Sequence, residues 1–109
     1  MWKVKMRDIP YIIYETETFS KLYEVMENEE KEWVDKIKLQ LTNNPHVGKP
    51  LKFEWFREKK FNNKRLYYLI YKNLNRILIV SFGSKKEQQK IINHVIENKE
   101  RYKKLIESA

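Results

Sequence analysis

The sequence predicts a single α+β domain with elements in the order β-β-α-α-β-β-β-α. Three observations carry that prediction. Hydrophobic spacing changes from a period of two to a helical period and back along the chain. Two Asn-rich turns divide residues 51–82 into three strand-like pieces. The last quarter carries one long helical stripe behind a capping signature.

Met1–Arg7 alternates Trp2, Val4 and Met6 with Lys3, Lys5 and Arg7, as a strand with one wet face does. Pro10–Thr16 (PYIIYET) is rich in β-branched and aromatic residues and reads as a second strand. Phe19, Leu22, Tyr23 and Met26 then share one face of a helix, with Thr18 as its expected N-cap. Asn28, followed by Glu29 and Glu30, opens a second helix, because acids suit the positive end of the helix dipole. Its stripe is Trp33, Val34, Ile37 and Leu41. Asn43-Asn44-Pro45 ends it, since proline cannot continue the helix and restricts the residue before it.

Leu51–Phe61 is aromatic and heavily charged. Asn62-Asn63-Lys64 is a turn, Arg65–Tyr71 (RLYYLIY) a strand, and Lys72–Asn75 a second turn. Arg76–Phe82 (RILIVSF) is nearly continuous in apolar residues, the pattern of a central strand covered on both faces. Such short connections make an antiparallel meander. Ser84-Lys85-Lys86-Glu87 has capping-box spacing, and Ile91, Ile92, Val95, Ile96, Tyr102, Leu105 and Ile106 line one side of a helix running to Ser108. With 109 residues and no linker or repeat, one domain over 1–109 is expected.

Charge is unevenly placed. The net charge is +8, and Leu51–Lys90 alone holds 11 basic and 3 acidic residues, equal to the whole surplus. That asymmetry points to a polyanionic partner. There is no cysteine, which excludes disulfides and thiolate chemistry, and two histidines, His46 and His94, do not make a metal site alone. No metal or cofactor is expected. The longest apolar run near the start, Tyr11–Tyr14, is far too short for a signal-peptide core or a membrane span, so a cytoplasmic protein without a membrane partner is expected.

Three features could handle phosphate. Phe56–Phe61 (FREKKF) would place Arg57 and Lys59 on one face of a strand and Glu58 and Lys60 on the other. Charge there also protects an edge strand from aggregation. Lys64-Arg65 follows across the turn, and an arginine at a strand start can fork onto a phosphate. Gly83-Ser84-Lys85-Lys86 sets two lysines beside the free amides of a helix start, an anion-binding combination. Trp55, Phe56, Tyr67, Tyr68 and Tyr71 interleave with these cations, which suits base stacking and plain core packing alike. No Gly-rich phosphate loop, nucleophile elbow or Ser-His-Asp pattern is present. RNA, however, carries its own nucleophile, the 2′-hydroxyl, so cleavage needs only an acid, a base and cations. The expected catalytic group is Glu58, Lys59, Lys60, Arg65, Lys85 and Lys86. Lys52, Arg57, Lys64, Arg76 and Lys90 are expected to contact nucleic acid.

Thr16–Tyr23 (TETFSKLY), Asn44–Leu51 (NPHVGKPL), Arg57–Tyr71 (REKKFNNKRLYYLIY) and ILIVSFGSKK together resemble the RelE/ParE superfamily of toxin–antitoxin toxins, over roughly Pro10–Ile96. The resemblance implies two N-terminal helices packed on an antiparallel sheet, an antitoxin protein as partner, and, for RelE-like members, cleavage of mRNA on the ribosome. ParE-like members instead inhibit DNA gyrase. The family's basic positions fall on Lys60 (with Lys59 and Glu58 adjacent), Arg65, and Lys85 or Lys86. A further Tyr or His, common near the end of these toxins, is replaced here by Gln88-Gln89-Lys90-Ile91-Ile92. That departure keeps a ParE-like or non-enzymatic protein as the alternative.

Overall fold

The computed structural model describes residues 9–109, so the strand expected at Met1–Arg7 lies outside the described residues. The elements are β1 (Ile12–Glu15), α1 (Glu17–Glu24), α2 (Asn28–Asn43), β2 (Lys49–Pro50), β3 (Phe56–Phe61), β4 (Lys64–Tyr71), β5 (Arg76–Ser84), α3 (Gln88–Glu97) and α4 (Lys99–Glu107). Single turns of 3-10 helix sit at Pro45–Val47, Lys72–Leu74 and Lys85–Glu87.

Helix starts differ from the sequence reading by one or two residues. Thr16, not Thr18, caps α1: its Oγ1 accepts from the Phe19 amide at 3.1 Å and donates to the Val80 carbonyl. That second bond ties the cap to the sheet, which decides between the two threonines. Glu27, not Asn28, precedes α2, and the Glu30 carboxylate accepts from its amide at 3.2 Å.

The sheet order is β1-β5-β4-β3-β2. β3, β4 and β5 form the expected antiparallel meander, and Asn62 and Asn75 take positive φ (53° and 52°) in its turns. The β-like reading of Leu51–Phe61 holds only from Phe56. Residues 51–55 fold into a turn in which the Phe56 amide donates to the Phe53 carbonyl. β1 departs from the expected all-antiparallel sheet, because it runs parallel to β5. β1 and β5 are separated along the chain by α1, α2 and strands β2 to β4, and so long a connection permits a parallel neighbour where a tight hairpin does not.

β5 is covered on both faces, as its apolar run predicts. Phe19, Val34, Ile37 and Leu41 of α1 and α2 pack on Leu66, Tyr68, Ile70, Ile77, Ile79 and Phe82. Ile92, Val95 and Ile106 of α3 and α4 pack on Phe56, Tyr67, Leu69, Leu78 and Val80. The result is a sheet between two helical layers.

The expected single C-terminal helix is broken at Asn98. The Asn98 side chain donates to the His94 carbonyl at 2.8 Å, a local bond that competes with the helical ladder. The bend returns Ile106 to the same core as Ile92 and Val95.

Candidate functional site

Register brings the basic features together at one end of the sheet. Lys60 of β3 lies opposite Arg65 of β4, and Arg65 lies opposite Gly83 of β5. Glu58, two residues from Lys60, emerges on the same face. The chain then turns through Lys85 into α3, while the Pro45–Pro50 segment brings Val47 and Lys49 alongside. Between them is a shallow cleft of about 400 Å³ lined by Val47, Lys49, Glu58, Lys59, Lys60, Arg65 and Lys85. Five cations and one carboxylate form it.

Two of these charges are buried. Glu58 is 7% exposed and Arg65 8%. Arg65 Nε lies 3.5 Å from Glu58 Oε2, an ion-pair distance without hydrogen-bond geometry. Arg65 Nη1 has no protein partner either. Both nitrogens are closed to solvent, so what Arg65 offers an anion in the cleft it lines is a positive charge held in a low-dielectric wall, where it is screened little. Glu58 is held from the other side by Gln88, whose Nε2 donates to Oε2 at 2.8 Å. Gln88 is the site residue missed by sequence reasoning. It stands in the stretch that replaces the family's Tyr or His, and only the fold shows its amide reaching the carboxylate.

Tyr67 lies beneath this pair. It is opposite Glu58 in register, fully buried, and its hydroxyl has no partner. Burial, reinforced by the Glu58 charge, pushes its phenol up to about 12, and burial does the same to Tyr71. The unfolded chain loses these protons near pH 10.0 while the fold retains them. This stabilisation is therefore whole below pH 10 and is lost as pH rises toward about 12. Urea unfolding followed from pH 8 to pH 11 should show a falling midpoint. Tyr67→Phe should flatten that fall and, by removing an unsatisfied hydroxyl, leave neutral-pH stability unchanged or raised by up to about 1 kcal/mol.

The other expected cations are dispersed. Lys86 is exposed beside Lys85 but does not line the cleft. Arg57 emerges on the opposite face and serves the fold, because its guanidinium donates to the Gly48 carbonyl at 2.7 Å and to the Glu54 carbonyl and carboxylate. It is 6% exposed and does not reach the cleft surface. Lys64 pairs with Glu30 of α2 at 2.7 Å, which lowers the Glu30 pKa. Arg76 sits at the far end of β5 and donates to the Ile106 carbonyl. Lys52 is exposed in the 51–55 turn, and Lys90 is exposed on α3. Sequence alternation alone cannot separate Arg57 from Arg65, since both are arginines in charged strand segments. No group of three or more His, Cys, Asp or Glu side chains suited to a metal occurs among the described residues. None of the described helices is long and apolar enough to cross a membrane.

A mixed sheet between helical pairs, with a basic cleft at the Arg65 end, defines a RelE-like fold, and comparison with solved structures shows the same. The free form of an Escherichia coli RelE double mutant superposes with a TM-score of 0.70 at 15% identity, covering 82% of this chain and 97% of that one. The toxin–antitoxin complex RelBE2 from Mycobacterium tuberculosis gives 0.62 at 22% identity, covering 71% and 100%. The intact E. coli RelBE toxin–antitoxin complex gives 0.62 at 17%, covering 68% and 95%. No protein-family model matches the sequence, and no curated protein matches it.

Proposed function

We propose that this chain is the toxin of a toxin–antitoxin pair, a metal-independent endonuclease that cuts mRNA on the ribosome and is silenced by a separate antitoxin protein. The observation that carries the reading is the cleft itself: Arg65, held in its buried wall, and four lysines converge there beside the Glu58 carboxylate. The RelE-like fold supports it, as does the pairing of similar folds with antitoxins in the RelBE complexes.

In this reading the scissile phosphate lies in the cleft. Arg65, Lys60 and Lys85 balance the charge that grows on its oxygens as the 2′-hydroxyl attacks phosphorus and the bond to the 5′-oxygen breaks. Both protein contacts of Glu58 use Oε2. Oε1 is assigned to accept the 2′-hydroxyl proton, and the ammonium of Lys59 or Lys60 protonates the leaving 5′-oxygen. Lys85→Ala is expected to lower cleavage about tenfold or more, as loss of a charge-stabilising group does, while Lys86→Ala leaves it essentially unchanged. Rates in a translating extract for the two variants check this directly.

Induction of the chain in bacteria, with mapping of new mRNA 5′ ends, tests the reading as a whole. Growth arrest with new mRNA ends inside translated codons is the expected result. A second reading, a ParE-like gyrase inhibitor or a RelE-fold binding protein without nuclease activity, is favoured by one observation: neither Tyr nor His lines the cleft. Growth arrest with DNA breaks and intact mRNA selects it.

A further inference from the structure

The other end of β3 carries a second concave site, distinct from the cleft. Trp55 immediately precedes β3, and its carbonyl accepts from the Ile70 amide at 2.8 Å, which fixes it against the end of β4. Its ring stacks on Phe53 with centroids 4.8 Å apart and planes 11° from parallel. Lys99, the first residue of α4, holds its ammonium 5.4 Å from the Trp55 ring centre. Trp55, Tyr71, Lys72, Lys99 and Lys103 line a pocket of about 480 Å³, in which Glu54 is the one acidic residue. The break at Asn98 places Lys99 and Lys103 there, one helical turn apart on one face of α4.

We infer that this pocket is a nucleotide subsite for single-stranded RNA, in which a base stacks against Trp55 and Tyr71 and flanking phosphates take Lys72, Lys99 and Lys103. The inference deepens the RNA-directed reading above and rests on it. Flat aromatic walls ringed by ammonium groups match the two parts of a nucleotide, a π-face and an anion. Phe53 stacks on the Trp55 ring and the Lys99 ammonium covers it, so a base takes the place of Lys99, an exposed and flexible side chain that then turns to the flanking phosphate. Lysines placed between the pocket and the cleft select RNA over an acidic peptide. Trp55 and Lys60 are five residues apart along an extended segment, about 17 Å at strand spacing. Lys49 of the cleft and exposed Lys52 lie on the intervening segment beside the β3 edge. One strand of RNA following that edge would occupy the cleft and the pocket together.

The test uses the full chain and a 2′-O-methyl oligouridylate of eight residues, which cannot be cut. Binding is followed by tryptophan fluorescence and by anisotropy of an end-labelled copy. The wild type should bind with quenching. Trp55→Phe should bind with most of that quenching lost, and Lys99→Glu/Lys103→Glu should bind roughly tenfold more weakly. The slope of log affinity against log salt should also be shallower in the lysine pair variant by about 1.4. Lys99 and Lys103 are exposed, so the pair variant keeps the core, and circular dichroism verifies its fold. Unchanged quenching in Trp55→Phe, or unchanged affinity in the lysine variant, overturns the inference. So does quenching by an acidic peptide with none by the oligonucleotide. Because the probe is uncleavable, quenching by a chain that fails to cut mRNA supports the subsite and counts only against the nuclease reading.

Discussion

Arg65→Ala is expected to reduce mRNA cleavage roughly 10²- to 10³-fold, the usual loss when one preorganised donor is removed from developing charge. The stability outcome separates function from folding. Arg65 is buried, and its Nε and Nη1 make no hydrogen bond. Its removal leaves Glu58 buried with only Gln88 as a partner. The single variant should therefore lose about 1–3 kcal/mol in urea unfolding, the cost of an uncompensated buried polar or charged group. The double variant Arg65→Ala/Glu58→Gln should regain most of that loss and stay inactive, because a neutral pair no longer needs the ion pair. Cleavage within about threefold of wild type in a folded Arg65→Ala chain, far above the loss expected for a charge-stabilising donor, would falsify the assignment.

Gly48→Ala is expected to cost about 3 kcal/mol or more, comparable to severe core substitutions and a large share of a domain's total stability. An added Cβ would stand 2.6 Å from the Glu58 carbonyl oxygen and 2.7 Å from the Tyr68 hydroxyl. The first is backbone of β3, so it cannot swing aside. The second is fixed on both sides: the Tyr68 hydroxyl donates to the Pro45 carbonyl at 2.7 Å and accepts from the Gly48 amide at 2.9 Å. The Gly48 carbonyl in turn accepts from Arg57. Displacing the segment breaks this buried network and the adjoining Lys49–Glu58 pairing, where the cleft begins. Thermal unfolding and cleavage should therefore fall together, in contrast to Arg65→Ala/Glu58→Gln. A melting temperature within about 2 °C of wild type, well under 1 kcal/mol for a domain of this size, would show that the close approach is not maintained in solution.

Both variants change residues whose types are visible in the sequence, but only Arg65 stands out there as functional. Gly48 was visible as part of the NPHVGKPL stretch, and nothing local explained it. Its requirement comes from β3 and Tyr68 crossing the same point, a contact between segments twenty residues apart. Arg57 shows the reverse case. Its place in a basic strand suggested nucleic acid, while the fold spends its guanidinium on the same loop.

Features that depend on neighbours along the chain are legible in the amino-acid order alone. The helical stripe of α2, the Asn62 and Asn75 turns, the doubly covered β5 and the alternation that sets Glu58 and Lys60 against Arg57 and Lys59 are all local periodicities and dihedral preferences. Features that depend on packing between distant segments come from the folded chain. It ran β1 parallel to β5, broke the last helix at Asn98, and brought Gln88 onto Glu58. It also left the Lys60–Arg65–Gly83 end of the sheet open beside α3, so that Arg65 lines a cleft while the equally buried Arg57 is bonded to Gly48 and Glu54. The physical reason is that side-chain alternation assigns a residue to a face, whereas only the placement of the covering helices determines which part of that face remains accessible to an anion.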